Sequence, residues 1–536
     1  MKRKFSKILS LFLAVVMLMA VAAPLMSVSA ADGYITIYVP GYGGGLYKNN
    51  VESEENRIWP PVVDIGDLLM DAAEPLLTKL ANGMIIGDWE AYGQELYDRV
   101  TPIFAELQLD KNGEASDGSG RAEDMYTNYI DTYSDNYPDG CVTFYYDWRL
   151  STEYNAKILE DYIDRVRREK NVEKVNLLGR CLGGNIVSAY LQNGKNTDKV
   201  NDVVMYIPST LGIGFIGAIF SGQIEVDAKS VDYFANYFLE NKNLIEDPTL
   251  KSLVSSLVSF LNEIKVLGLG TDVLQTIIDG VRDTAMPALV RDTFGSFPAM
   301  WAMVPDEYFD EAVEFCFSTD ELKKEYAGLI EKITSYHDNV QVKAADTLKA
   351  FDEDENHRVM MFAKYNIPLF PLSRDSMRQG DGFAETERVA FGSTCADFGM
   401  TLTNSYIDNM TEEDKKYLSP DYKIDASSCL LRDTTWFIKD CYHDYFPDVI
   451  DGLINVFYNT PDMTVFTYDE YPQFLQFYDQ TDREASGKIK PVEEGIDEDT
   501  NLSKKENRFK VFIRFFTSLF AFFAKLLKGD ISLCKD

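Results

Sequence analysis

One stretch, residues 174–191 (KVNLLGRCLGGNIVSAYL), constrains the fold more than any other. It reads as a short buried strand over residues 174–178, a tight turn over residues 179–184, and a helix from about Leu182. A residue at a sharp strand-to-helix corner is held in a strained backbone conformation, and its neighbours two positions away must lack a side chain. Gly179 and Gly183 meet that requirement around Cys181. The following helix turns its free N–H groups and the positive end of its dipole toward the corner. A thiolate at Cys181 and an oxyanion beside it would both be stabilised there. The alternative is a buried structural cysteine on a glycine-rich turn; strand, turn and helix in this order favour a nucleophile.

Alternation of strand and helix extends around this corner. Residues 34–39 form a β-branched, aromatic strand that runs into Pro-Gly-Tyr-Gly-Gly-Gly at residues 40–45. A glycine-rich loop after a buried strand lets backbone amides face a ligand. Here the amide of Tyr42 or Gly43 is expected to give one oxyanion donor and that of Leu182 the other. Residues 65–80 and 88–107 have helical periodicity. The polar stretch after Asp110 lacks EF-hand spacing and is expected to be a solvated turn. Residues 141–146 read as a strand, and 152–170 as a helix whose apolar face carries Ile158, Leu159, Tyr162, Ile163 and Val166. A strand at 202–207 completes the pattern of a parallel sheet covered on both faces. Residues 208–355 break it, being long, largely helical and apolar. They suit either a cap over the mouth of the sheet or a helical packing domain. Strands are expected again at 358–363 and 367–372, a helix at 447–458 and a last strand at 465–468.

The ends of the chain carry their own signals. Lys2, Arg3, Lys4 and Lys7 precede an apolar run that ends in Val28-Ser29-Ala30, the layout of a secretory signal peptide. Removing residues 1–30 takes away four cations and no acid, so the net charge passes from −34 to −38. Such acidity argues against nucleic acid as a partner and for solubility outside the cell. Seven cysteines are too few and odd in number for a disulfide scaffold, although Cys395 and Cys429 could pair. No metal-ligand spacing occurs, so neither metal nor cofactor is expected. Residues 480–507 read as a charged linker. Residues 508–528 hold seven phenylalanines and five basic residues, which suits an interfacial helix on an anionic membrane; the alternative is a helix docked on the folded domain.

A nucleophile at such a corner needs a base and an acid that orients it, and in this architecture they follow in the order nucleophile, acid, histidine. The chain has three histidines. His337 and His357 precede the loop Gly380-Asp381-Gly382, and only His443 follows it. Order and count therefore point to Cys181, Asp381 and His443. Asp375, Asp397 and Asp444 are rival acids. Arg180 is expected to be a solvated arginine. A Cys-His pair performs acyl transfer through a thioester, with water or an alcohol as second acceptor.

Tyr146-Asp147-Trp148-Arg149, about 30 residues before the corner, resembles the YDWR stretch of lecithin:cholesterol acyltransferases and their phospholipase relatives. Val39-Pro40-Gly41 resembles their oxyanion loop, in which the next residue, here Tyr42, supplies an amide. Gly380-Asp381-Gly382 resembles their acid motif, with Phe383 and Ala384 departing from its ending. His443 before a helix matches their distal histidine, and residues 296–305 resemble a cap segment they share. The family nucleophile is serine, and the Cys-Leu-Gly-Gly turn here also resembles dienelactone hydrolases, which use cysteine. The resemblance implies an α/β-hydrolase fold: a mostly parallel sheet with helices on both faces and a large helical cap. It implies an exported acyl-ester hydrolase or acyltransferase acting on lipid-like esters without a metal, with Trp148 and Gly43 expected to bind substrate. The expected layout is signal peptide 1–30, core 31–208, cap 209–356, core 357–479, linker 480–507 and basic aromatic tail 508–536. The alternatives are an inactive envelope-binding protein of the same fold and a cysteine hydrolase of small activated esters.

Overall fold

The computed structural model describes residues 34–60, 65–120, 140–192, 197–240, 271–477 and 489–495. The signal segment 1–30, the apolar cap stretch 250–269 and the tail 508–536 lie outside the described residues. In chain order the strands are β1 (Ile35–Val39), β2 (Leu46–Tyr47), β3 (Arg57–Trp59), β4 (Cys141–Thr143), β5 (Val175–Arg180) and β6 (Val200–Tyr206). They continue with β7 (Arg358–Tyr365), β8 (Thr394–Cys395), β9 (Ile424–Asp425), β10 (Thr435–Lys439), β11 (Phe474–Phe477) and β12 (Ile489–Pro491). Eight of them make one sheet in the order β12-β11-β10-β7-β6-β5-β1-β4. It is parallel throughout except for β12, which runs antiparallel to β11.

β1 pairs with β4 on one side and β5 on the other, so the sheet reverses its direction of growth at β1. A crevice opens at the carboxyl ends of strands at such a switch point. The glycine-rich loop after β1 and the corner after β5 meet there. β5 is buried along its whole length, and β6 and β7 are buried at all but one position each, as expected when both faces of a parallel sheet are covered. The helix Leu182–Gln192 packs against both Thr152–Lys170 and Ala344–Asp352. The helix Thr152–Lys170 starts at Ser151, whose hydroxyl accepts from the Tyr154 amide, and ends at Asn171 in the left-handed conformation. Between β6 and β7 the described residues form helices and no strand.

Four expectations change. The strand expected at 367–372 is a loop, because Pro368 and Pro371 cannot donate to a ladder; only Ile367 bridges, to Asp381. The strand expected at 465–468 is a turn, in which the Thr464 amide donates to the Thr467 hydroxyl and the Thr467 amide to the Thr464 carbonyl. The strand expected at 141–146 ends at Thr143, just before the chain bends over the glycine-rich loop. The charged stretch expected as a linker contributes the edge strand β12 and buries Val492. Three ladder residues and one apolar anchor are too short a signal to rise above the surrounding charge.

The helix Leu182–Gln192 lies so close to β1 that a side chain on Gly183 would overlap the Val39 carbonyl oxygen. We predict that Gly183→Ala lowers stability by about 3 kcal/mol, the upper range for overpacking. Gly452, inside the helix Asp448–Asn459, has open space for 4 Å around the point where a Cβ would stand. Gly452→Ala should raise stability by about 0.5–1 kcal/mol. Urea midpoints check both; equal midpoints for the two variants would refute the close approach.

Candidate active site

β5 ends at Arg180, and the next residue, Cys181, has φ +49°. A non-glycine residue in the left-handed region costs of order 1–3 kcal/mol and persists only where its surroundings hold it. Here the Cys181 amide donates to the Tyr206 carbonyl of β6 at 3.1 Å. The Cys181 carbonyl accepts from Gly184 at 2.9 Å and from Ser209 at 3.3 Å. Two strand ends and the first turn of a helix thus aim the thiol into the crevice.

The loop after β10 brings His443 to it. Nε2 lies 3.4 Å from Cys181 Sγ, and Nδ1 lies 2.7 Å from Asp381 Oδ2. The other carboxylate oxygen of Asp381 accepts from the amides of Phe383 at 3.0 Å and Ala384 at 2.7 Å. Both donors are backbone groups, so their side chains are free to differ. The His443 amide donates to the Asp381 carbonyl at 2.9 Å, locking the two loops together. Among the rival acids, Asp375 faces Arg388, Asp397 bridges to Arg378, and Asp444 is turned so that its carbonyl meets Arg180. His337 sits between Asp306 and Asp338, and His357 stacks on Phe351.

The electrostatics favour an ion pair. Burial pushes the Cys181 thiol up, but the His443 charge and hydrogen bond, the Leu182 amide and Arg180 bring it below the ordinary thiol value. Burial pushes the His443 imidazole down, yet Asp381 and Cys181 raise it to about 10. Burial opposes the charge of Asp381 as well, and His443, Lys364 and the Ala384 amide hold it below the usual carboxylate range. Cys316, Cys395, Cys429 and Cys441 are shifted the opposite way, chiefly by burial. Cys395 and Cys429 are free thiols.

The glycine-rich loop is held from outside by the Tyr146–Arg149 segment. The Tyr146 hydroxyl donates to the Pro40 carbonyl at 2.6 Å, with the Gly41 carbonyl at 3.2 Å. The indole N–H of Trp148 donates to the Gly44 carbonyl at 3.1 Å. Asp147 and Arg149 form a buried pair at 2.7 Å, and Arg149 also donates to the Leu107 carbonyl and the Ser119 hydroxyl. The loop is pressed against the corner: a side chain on Gly41 would come within 2.9 Å of Cys181 Cβ. The Tyr42 ring packs on Trp59 and Trp148. Gly43, at φ +116°, is open where a side chain would be. Trp148 is fully buried, so in this conformation it supports the loop and presents no surface to a substrate.

Arg180 is a correction. It is buried, not solvated, and donates to the Asp444 carbonyl at 2.7 Å. Several other residues near the site escaped the sequence reading. Ser209, just after β6, has its hydroxyl 4.0 Å from Cys181 Sγ and donates to Asn185 Oδ1 at 3.0 Å. Lys364 stands in the apolar strand β7; a cation after the apolar run VMMFA, near the strand's end, was the available signal. Glu385 accepts from the Gly214 amide through both oxygens, at 3.0 and 3.1 Å. Aromatic rings run from His443 into the helical region: Phe383 at 5.0 Å from the imidazole, then Phe215, Phe370 and Phe234 at centroid separations of 4.9, 5.1 and 5.2 Å.

No family model and no curated protein matches the chain. Two solved structures are similar to it. One is the serine hydrolase CCSP0084 from the polyaromatic hydrocarbon-degrading bacterium Cycloclasticus zankles, 13% identical over 58% of this chain and 72% of that one, with a TM-score of 0.19. The other is in the Tle4–Tli4 complex, 10% identical over 92% of this chain and 99% of that one, with a TM-score of 0.26. At these scores neither carries an argument. The sheet order, the strained corner after β5 and the loop positions within the chain itself are those of an α/β-hydrolase fold.

A thiolate absorbs in the ultraviolet whether or not it is buried, so the difference spectrum between wild type and Cys181→Ala reports this one group. We predict a midpoint below about 8.5, the ordinary thiol value, and a rise toward or above it in His443→Ala. The thiolate's contribution to stability is lost as pH falls through that lowered midpoint. The imidazolium's is lost as pH rises through about 10. A wild-type midpoint at or above about 8.5 would exclude the ion pair.

Proposed function

We propose that this protein is an acyl-transfer enzyme that cleaves lipid-like esters through a thioester on Cys181. The observation that carries this reading is the buried run Cys181 Sγ, His443 and Asp381, with separations of 3.4 and 2.7 Å. The thiolate attacks the ester carbonyl carbon, and the carbonyl π pair moves onto oxygen. The amides of Leu182 and Tyr42 receive that oxyanion. Its collapse breaks the carbon–oxygen bond to the alcohol, which leaves with the proton from His443 Nε2. Water, or an alcohol, then attacks the thioester and gives its proton to Nε2. The second collapse releases the acid, or a new ester, and restores the Cys181 thiolate. Asp381 keeps Nδ1 protonated and Nε2 aimed at sulfur throughout.

The aromatic rings that run on from His443, Phe383, Phe215, Phe370 and Phe234, suit an apolar acyl group. The YDWR and Gly-Asp-Gly segments support a lecithin:cholesterol acyltransferase-like relationship, with cysteine replacing serine. Export by residues 1–30 and attachment to anionic membrane by residues 508–536 belong to the same proposal. Liposome flotation with and without 508–536 tests the attachment; equal binding would remove it. The second reading, an inactive binding protein, draws on the complete burial of Cys181.

A panel of esters and thioesters of graded chain length separates the two readings. Wild type should turn over long-chain substrates and yield an acyl adduct on Cys181 by mass spectrometry. Cys181→Ala should lose at least about 10³-fold in kcat/KM. Absence of both turnover and adduct in wild type would leave the inactive reading.

A further inference from the structure

Four consecutive carbonyls of the His443 loop converge on side chains from three neighbouring strands. Arg180 at the end of β5 donates to the Asp444 carbonyl at 2.7 Å and lies 3.5 Å from that of His443. Tyr206 at the end of β6 donates its hydroxyl to the Tyr445 carbonyl at 3.1 Å. Lys364 in β7 donates to the carbonyls of Tyr442, His443 and Tyr445 at 2.8, 3.0 and 2.6 Å. All three side chains are buried. A neutral amine has only two N–H donors, so three carbonyls around Lys364 Nζ call for the ammonium form. The Tyr206 ring lies 5.0 Å beneath that ammonium.

We infer that Arg180, Tyr206 and Lys364 are positioning residues that fix the His443 imidazole by clamping the backbone on both sides of it. The inference rests on the acyl-transfer reading of the site. Arg180 is in register with Tyr206, and Lys364 stands two residues beyond Phe362, the register partner of Tyr206, so the three side chains share one face of the sheet at its carboxyl edge and pin a loop that crosses it at successive carbonyls. The His443 amide is tied separately to the Asp381 carbonyl, so the residue is held through both ends of its backbone. A general base must stay within hydrogen-bond reach of its nucleophile, and a displacement of about 1 Å can cost roughly 10²-fold in rate. The clamp also carries two positive charges. Arg180 favours the anionic form of Cys181, Lys364 that of Asp381, and both those of Cys441 and Asp444; burial pushes the Lys364 ammonium down, and Cys441, Asp381 and Asp444 oppose that. Loss of the clamp frees His443 to move from the sulfur, and since the His443 charge and hydrogen bond are what chiefly lower the Cys181 thiol, it makes the thiolate less favourable.

Lys364→Met keeps an unbranched apolar stem and removes the donors; Tyr206→Phe keeps the ring and removes one hydroxyl. Folding is checked by circular dichroism, and the milder Tyr206→Phe covers the case in which Lys364→Met does not fold. We expect kcat to fall about 10²-fold in Lys364→Met and several-fold in Tyr206→Phe, with KM little changed. The Cys181 thiolate midpoint should move up in Lys364→Met, and in Tyr206→Phe by less. Where wild type turns over substrate, folded variants with wild-type kcat and midpoint overturn the clamp. Where wild type has no turnover, the acyl-transfer reading fails by itself, and the thiolate midpoint decides: a shift supports the clamp and no shift overturns it.

Discussion

Everything at the site hangs on the left-handed backbone of Cys181. At φ +49° the residue can neither continue β5 nor begin the helix in a relaxed geometry, so its side chain projects from the corner. The conformation survives because its amide is taken by β6 and its carbonyl by the helix and by Ser209. Each of those bonds adds about 1 kcal/mol, which together match the strain. The same corner needs Gly183 against β1, and it leaves no room for a side chain on Gly41 of the glycine-rich loop beside Cys181. Nucleophile and oxyanion amides are thus placed by one backbone feature.

The relay is built from elements far apart in the chain, and backbone bonds do most of the positioning. Asp381 is oriented by two amides of its own turn, and His443 by an amide bond to Asp381 and by the row of donors on the strand ends. With a thiol in place of a hydroxyl this arrangement stores charge. A serine would remain neutral until attack, whereas the charges of Cys181 and His443 each favour the other, so the thiolate–imidazolium form is the favoured one. Under the proposed acyl transfer, the protonated imidazole would be ready to protonate a departing alcohol, and the sulfur would need no further activation.

Chain order made the grouping of Cys181, Asp381 and His443 legible, since with three histidines only one could follow Asp381. The strand–turn–helix corner was legible because its glycines are sterically required. Other parts were not, for reasons that differ. Arg180 and Lys364 bond to carbonyls, and carbonyls leave no side-chain signature to match. Trp148 is aromatic beside a site, which suggests a substrate contact; only the bond from its indole to Gly44 shows that it braces the loop. The segment 367–372 is apolar enough for a strand, but its prolines deny it the ladder. Edge strand β12 is hidden by the charge around it.

Cys181, His443 and Asp381 are each at most 1% exposed, so a substrate reaches the sulfur only after something moves. The aromatic run from Phe383 through Phe215 and Phe370 to Phe234 begins beside the imidazole, and it crosses from the acid loop into the helices that follow β6. Glu385 joins the same two regions. Its carboxylate, raised to about 7 by burial, receives the Gly214 amide at the start of the helix Gly214–Ser221, while its neighbour Ala384 donates to Asp381. Arg388 adds ion pairs to Glu385, to Asp375 and to Glu307 on the helix Asp306–Cys316. Separating these helices from the acid loop therefore exposes apolar rings and breaks bonds to a buried carboxylate, each worth about 1.5–3 kcal/mol. An apolar surface or acyl chain that covers the rings removes the first cost but not the second. An opening along this seam would therefore have to break the ionic contacts around Glu385 even after an apolar ligand had covered the rings.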